Sequence, residues 1–241
     1  EYAVQVKNIS LAFGGHQLLD DVSFTIPFGK VILLRGDNGS GKTTLLNILS
    51  GFIQADSGKI NICFNGKQMD STNFLPEKLA LAGIGRLWQD IRLFPTMTVL
   101  ENVMSATPNL TGQNPALALA AWPITRREEH KARELAIRNL DLVGMADRAH
   151  SSGDKLSVGQ MKRVALARML QSGSSLLLLD EPLAGLDPES VKSLLELLKH
   201  LNRKEDKTLL IIEHQHERIG HICHESWIIR DGKIERNGMA S

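Results

Sequence analysis

Three short runs in this chain carry residue types that can handle charge at spacings a backbone could exploit. The first, Gly36-Asp37-Asn38-Gly39-Ser40-Gly41-Lys42-Thr43, follows the apolar run Val31 to Leu34 and precedes Thr44 to Leu49, which is patterned as a helix. Strand, glycine-rich loop, Lys-Thr and helix in that order are the setting of a phosphate-binding loop. Glycines let the backbone turn so that successive N–H groups point inward, and the helix start adds a positive dipole where phosphate charge would sit. In such a loop Lys42 reaches the β- and γ-phosphates of a nucleoside triphosphate and Thr43 ligates magnesium. A glycine turn without chemistry is the competing reading, and it leaves the ordered succession of all four features unexplained.

The second run is Leu176-Leu177-Leu178-Leu179-Asp180-Glu181, a buried strand that delivers two adjacent carboxylates to its carboxyl end, the edge at which α/β sheets bind ligands. Asp180 is placed there to hold magnesium, and Glu181 to orient or deprotonate an attacking water. Taken alone, such a pair reads as a solvated loop or a helix cap; beside a phosphate loop it reads as catalytic. The third run, Leu156-Ser157-Val158-Gly159-Gln160, opens a helical pattern that continues to Leu170, with Ser157 as its N-cap. A capped helix start is also an anion site.

The elements that must position these runs are legible in part. Residues 2 to 7, Val22 to Ile26 and Lys59 to Phe64 alternate apolar and polar, which predicts an antiparallel sheet near the amino end. Val31 to Leu34, Leu176 to Leu179 and Thr208 to Ile212 are continuous apolar runs, the pattern of parallel strands covered on both faces. Leu100 to Gln171 shows no strand pattern, and Arg126 to Val143 places Ala132, Leu135, Ala136, Leu140 and Val143 at helical spacing. This predicts an α/β phosphate-loop core with a mainly parallel sheet, an N-terminal antiparallel β-subdomain and an inserted helical subdomain. Residues 1–95 and 172–241 form the core and 96–171 the insertion, all in one domain. Thr107 to Pro115, rich in Pro, Asn, Gly and Thr, reads as an exposed connection.

Charge and composition narrow the partners. Twenty-eight Lys and Arg against 27 Asp and Glu leave a net charge of +1, too balanced for the basic field of a nucleic-acid binder. The longest apolar runs, including Ala116 to Trp122, fall far short of the ~20 residues of a membrane-spanning helix. Cys63 and Cys223 are distant and lack metal-site spacing, and Glu1 opens no charged-then-apolar leader, so a cytosolic setting is expected. Five of the eight histidines fall between His200 and His224, but without a matched second cluster they predict a helix with water-facing side chains rather than a metal site.

With these motifs in this order, the chain from Val4 to Gly238 resembles the nucleotide-binding domain of ATP-binding-cassette (ABC) transporters, whose signature is usually Leu-Ser-Gly-Gly-Gln. The resemblance implies binding and hydrolysis of ATP with Mg²⁺. It places Phe13 where an aromatic ring stacks on adenine. Gln89, in Leu87-Trp88-Gln89-Asp90, becomes the glutamine that senses magnesium and couples to membrane subunits. Ala184-Gly185-Leu186-Asp187 becomes the D-loop, and His214 the switch histidine at the γ-phosphate. The nucleotide is then held by Phe13, Gly36, Asn38, Gly39, Ser40, Gly41, Lys42, Thr43 and Thr44, with Ser157, Gly159, Gln160 and Asp187. Thr43, Gln89 and Asp180 hold the metal, and Glu181, His214, Lys42 and Gln89 serve catalysis. Val158 replaces the usual first glycine of the signature, Trp88 a more common Phe, and Phe13 a more common Tyr; no charged catalytic group is lost.

The resemblance further implies a head-to-tail dimer with an identical or related subunit, two ATP molecules sandwiched between phosphate loop and signature. It also implies docking on integral membrane permease subunits at the inner face of the membrane. Arg92 to Asn102, the insertion after it and Glu213-His214-Gln215 are similar to importers of the branched-chain amino-acid type, a pattern shared by importers of urea, amides and other small solutes. A soluble single-cassette ATPase acting in iron-sulfur assembly or another non-transport process stays open, as does a regulatory protein that binds nucleotide and barely hydrolyses it.

Overall fold

A computed structural model of the chain describes residues 1–64, 66–108, 122–214 and 216–238. The chain divides into two compact units, Glu1–Gln89 with Ser175–Ser241, and Asp90–Ser174. Among the described residues no helix is long and apolar enough to cross a membrane.

In the first unit, β1 (Tyr2–Phe13) and β2 (His16–Pro27) form an antiparallel hairpin closed by Gly14-Gly15. After β3 (Val31–Arg35) and α1 (Lys42–Leu49), the chain returns to this sheet with β4 (Ser57–Phe64) and β5 (Lys67–Asp70), in the order β2-β1-β4-β5. The expected antiparallel sheet is present, and its first strands run longer than the alternation indicated. The reason is local. Asn8 and Asp21 both adopt positive φ and are joined side chain to side chain at 2.6 Å, a register shift that resets the inward set from Val4 and Val6 to Ile9 and Leu11.

The second sheet of this unit continues with α2 (Pro76–Leu81), β6 (Ile84–Leu87), β7 (Leu176–Asp180), α-helical Pro188–Arg203, β8 (Thr208–Ile212), β9 (Glu225–Arg230) and β10 (Lys233–Gly238). Its order is β10-β9-β3-β8-β7-β6, parallel throughout except for the β9–β10 hairpin. The three strands read from apolar runs are its centre. The others carry polar residues, Arg86 in β6 and Glu225 and Ser226 in β9, which mask a strand pattern. One core joins both sheets to α1, with Phe24 against Trp227 at 5.2 Å and Leu45, Leu46, Ile60 and Leu178 in the same cluster.

The histidine-rich stretch departs from expectation. Only His216–Ile219 is α-helical, a single 3₁₀ turn follows, and Gln215 lies outside the described residues. His224 does more than face water: its Nδ1 accepts from the Val31 N–H at 3.0 Å and so anchors the start of β3. Both cysteines are free.

In the second unit, α3 (Val99–Met104), α4 (Trp122–Leu142) and α5 (Val158–Gln171) pack on one another. Ala132, Ala136, Leu140 and Val143 are buried as the spacing predicted, whereas Leu135 is exposed, because α4 buries a face that also takes in Thr125 and Asn139, at three- and four-residue spacing, and Leu135 falls beside it. Of the expected connection Thr107 to Pro115, residues 109–115 lie outside the described residues, as do 116–121 of the apolar run after it. Asn102, wholly buried, closes the segment before α3. Its Oδ1 accepts from Phe94 N–H at 2.8 Å, and its Nδ2 donates to the carbonyls of Phe94 and Thr98 at 3.0 Å each.

Asn102→Leu strands these buried backbone groups, so it should cost about 1–3 kcal/mol of stability. Urea denaturation measures the loss, and hydrogen exchange should show Phe94 to Thr98 opening first; an unchanged midpoint contradicts the clamp.

Candidate functional site

The phosphate loop leaves β3 at Gly36, which passes so close to β9 that a Cβ there would lie 2.5 Å from the Ile229 carbonyl oxygen, at a φ of 151°. Only glycine fits. Gly41 begins α1 at a φ of 99°, with the Leu18 and Leu19 side chains 3.3 Å from where its Cβ would be. Between them the Lys42 side chain, buried, folds back over the loop and its Nζ donates to the carbonyls of Gly36 and Asp37, 2.7 Å each. Burial lowers the Lys42 pKa, against the opposing pull of Glu181, Asp37 and Asp180. Asn38 and Gly39 form the exposed crest, Thr43 is exposed and Thr44 half-buried. The Ser40 hydroxyl is buried and pairs with no group among the described residues. A cradle a Cβ would fill, an orphaned hydroxyl, a buried ammonium and a helix start together fit a polyphosphate.

The two carboxylates sit where β7 ends. Asp180 is held by Arg86, whose Nη2 donates to its Oδ2 at 3.1 Å, with both side chains 4% exposed, and the Thr43 hydroxyl nearby favours its charged form. Burial raises the Asp180 pKa and Arg86 opposes the rise; burial likewise pulls Arg86 down to about 10. Removing one partner of such a pair typically costs about 3–5 kcal/mol, because the other charge is left uncompensated in low dielectric. Arg86 also donates through Nη1 to Ser50 Oγ at 3.0 Å, and its guanidinium lies 4.0 Å from the centre of the Trp88 ring.

Glu181 adopts a left-handed φ of 48°, a conformation that costs about 1–3 kcal/mol and persists only where surroundings impose it. Here its N–H donates to the Ile212 carbonyl at 3.0 Å. Its carboxylate is spanned by Gln89 Nε2, 3.0 Å from Oε2, and His214 Nε2, 3.1 Å from Oε1. Lys42, Thr43, Gln89, Asp180, Glu181 and His214, which sequence reasoning named separately, therefore belong to one site of the first unit. Phe13, at the tip of the β1–β2 hairpin, is 52% exposed. Asp187 caps Pro188–Arg203, its Oδ2 accepting from the Ser190 hydroxyl and its Oδ1 from the Ser190 N–H at 2.9 Å; the hydroxyl bond first, and the N–H bond after it, hold its pKa low. Among the described residues no three His, Cys, Asp or Glu side chains gather as a metal-binding group.

Ser157, Val158, Gly159 and Gln160 lie in the second unit, at the start of α5. Ser157 is the expected N-cap, and a reciprocal box forms: Ser157 Oγ accepts from Gln160 N–H, and Gln160 Oε1 from Ser157 N–H. Val158 exposes its side chain at the first helical position.

Sequence reasoning missed Arg86, Ser50 and Glu213 as parts of the site. A lone Arg in the apolar strand Ile84–Leu87 was the available signal, since a buried charge demands a partner. Glu213, buried after β8, accepts from Leu183 N–H at 2.7 Å and so fixes the turn that follows Glu181.

Comparison with known proteins agrees with this geometry. The family model described as ABC transporter matches residues 19–184. The high-affinity branched-chain amino acid transport ATP-binding protein BraF of Pseudomonas aeruginosa is 33% identical over 230 residues, 95% of this chain and 88% of that protein. The phosphonates import ATP-binding protein PhnC 1 of a Nostoc species is 33% identical over 238 residues, 98% of this chain and 86% of that protein. Among solved structures, the ADP conformation of MJ1267, an ATP-binding cassette of an ABC transporter, superposes with a TM-score of 0.81 at 30% identity, covering 99% of this chain and 91% of its own. A dimeric post-hydrolysis state of the cassette MJ0796 bound to ADP and Pi superposes with a TM-score of 0.76 at 25% identity, covering 99% of both chains.

Glu213→Ala removes the acceptor for a buried Leu183 N–H and should cost about 1–3 kcal/mol, while Glu213→Gln keeps a carbonyl acceptor and should recover most of it. Thermal unfolding of the two variants measures this; equal losses would show that the bond to Leu183 is not what Glu213 supplies.

Proposed function

Because this chain belongs to the ABC transporter family, we propose that it is the ATP-hydrolysing subunit of an import system, energising passage of a small solute through separate membrane-spanning subunits. The observation that carries the chemistry is the Glu181 carboxylate held between Gln89 and His214 beside a phosphate-loop lysine.

In this reading Lys42 and the backbone N–H groups from Gly36 to Thr44 bind the phosphates, and Phe13 stacks on adenine. Thr43, Asp180 and Gln89 would hold Mg²⁺, which would supply positive charge to offset that of the phosphate oxygens. Glu181 accepts a proton from water as the water oxygen bonds to the γ-phosphorus. The bond from that phosphorus to the β–γ bridging oxygen breaks, and ADP leaves with its added electron pair. His214 contacts the γ-phosphate. Ser157, Gly159 and Gln160 of a second, identical or related, copy approach the same phosphate, with Asp187 in the connecting D-loop. ATP then joins two cassettes and hydrolysis releases them.

For the solute we infer branched-chain amino acids or a similar small molecule. The support is the stretch Arg92 to Asn102, which resembles that importer group, and the likeness to BraF and to LivG of Escherichia coli, 29% identical over 235 residues. Relatives named for phosphonate and methionine import match over comparable lengths, which keeps the import class broader than one solute. The chain would work at the cytoplasmic face of the membrane, bound to permease subunits. Recovering ribosomes or assembly factors instead of integral membrane proteins in a native pull-down would favour the non-transport alternative.

Glu181→Gln should lower ATP turnover by about 10²–10⁴-fold, the usual contribution of a general base, and should accumulate an ATP-bound dimer. Phosphate release and light scattering on one preparation test both; ordinary turnover in the folded variant overturns the assignment.

A further inference from the structure

We propose that Arg86 is a positioning residue for the metal-holding carboxylate and links it to an exposed aromatic pair. The proposal rests on the reading of Asp180 as a magnesium-holding residue. Arg86 lies in β6, whose neighbours Ile84, Gly85 and Leu87 are buried, and a guanidinium in such a strand must be matched by partners. It has two: Asp180 Oδ2 at 3.1 Å and Ser50 Oγ at 3.0 Å. Ser50 ends α1 and donates onward to the Leu46 carbonyl at 2.6 Å, so the fork is fixed to the helix that begins with Lys42.

Packing alone does not account for the arrangement. Arg86 Nε is buried and pairs with no group among the described residues, a cost that an apolar side chain of similar volume would avoid. What the guanidinium supplies is direction. By occupying Oδ2 it opposes rotation of the Asp180 carboxylate. Groups that orient a metal-holding side chain in this way set metal affinity without touching the metal.

The other side of Arg86 is covered by an aromatic ring. Its guanidinium stacks on Trp88, and the Trp88 ring meets Phe52 edge-on at 4.8 Å and 83°; both rings are partly solvent-exposed. One residue further, Gln89 reaches Glu181. The segment from Arg86 to Gln89 thus holds both carboxylates, Asp180 through the first residue and Glu181 through the last. Displacing Trp88 changes the seat of the guanidinium and, through it, the metal-holding carboxylate.

The test is calorimetric titration of the full chain with ADP, in magnesium and in EDTA, for the wild type and for Arg86→Met, Arg86→Lys, Trp88→Leu and Asp180→Asn. The quantity read is the ratio of the two affinities, which general destabilisation does not move. Arg86→Met should shrink the gain from magnesium by roughly 10- to 100-fold, the range over which such outer partners tune metal sites. Arg86→Lys, which keeps charge but loses the fork, should fall between it and wild type. Trp88→Leu should shift the ratio in the same direction by less, and it carries the test if Arg86→Met does not fold. An unchanged ratio in the folded Arg86 or Trp88 variants, with Asp180→Asn abolishing the gain, overturns the proposal alone. An unchanged gain in Asp180→Asn overturns the magnesium assignment beneath it.

Discussion

Two carboxylates stand at the end of a buried strand, and the surrounding structure is organised by the cost of keeping them there. A desolvated carboxylate is stable only with compensating charge or hydrogen bonds. Asp180 receives Arg86, with the Thr43 hydroxyl nearby favouring its charged form; Glu181 receives Gln89 and His214, with Lys42 within Coulombic reach of both. The partners come from different parts of the first unit: the end of β6 and the residues after it, the start of α1 and the segment after β8. The parallel sheet order, with β7 between β6 and β8, is what brings these ends together.

Backbone conformation serves the same end. Gly36 accepts a φ closed to other residues because β9 crosses immediately beside it, and Glu181 is held left-handed with its N–H donated to β8. Lys42, satisfied by two loop carbonyls, is pre-organised with its charge inside the cradle. Electrostatic stabilisation is most effective where charges and dipoles are already set.

In the second unit, cap and candidate contact are the same atoms. Ser157 and Gln160 satisfy each other's backbone N–H groups at the start of α5, so the local sequence is explained by helix stability before any ligand is considered. A hydroxyl that caps a helix also stands at its positive end, which is why one pentad can serve both structure and anion recognition. Val158 fits this position without strain on the cap, its side chain lying in the open at the first helical residue.

Features encoded by local spacing were readable without coordinates. The phosphate loop, the apolar strands β3, β7 and β8, the Ser157 cap and the line Ala132, Ala136, Leu140 and Val143 all follow from periods and dipoles acting within a few residues. The roles proposed for Phe13, Gln89 and His214 rest on family likeness and on the motif order as a whole. Tertiary structure alone decided what depends on residues far apart in the chain: Arg86 against Asp180, Glu213 beneath the turn after Glu181, and His224 anchoring β3. It also exposed Leu135 and limited the helix in the histidine-rich stretch. Periodicity reports which face of an element is apolar, whereas the partner of a buried polar group is set by which strands lie side by side, and that is a property of the assembled sheet.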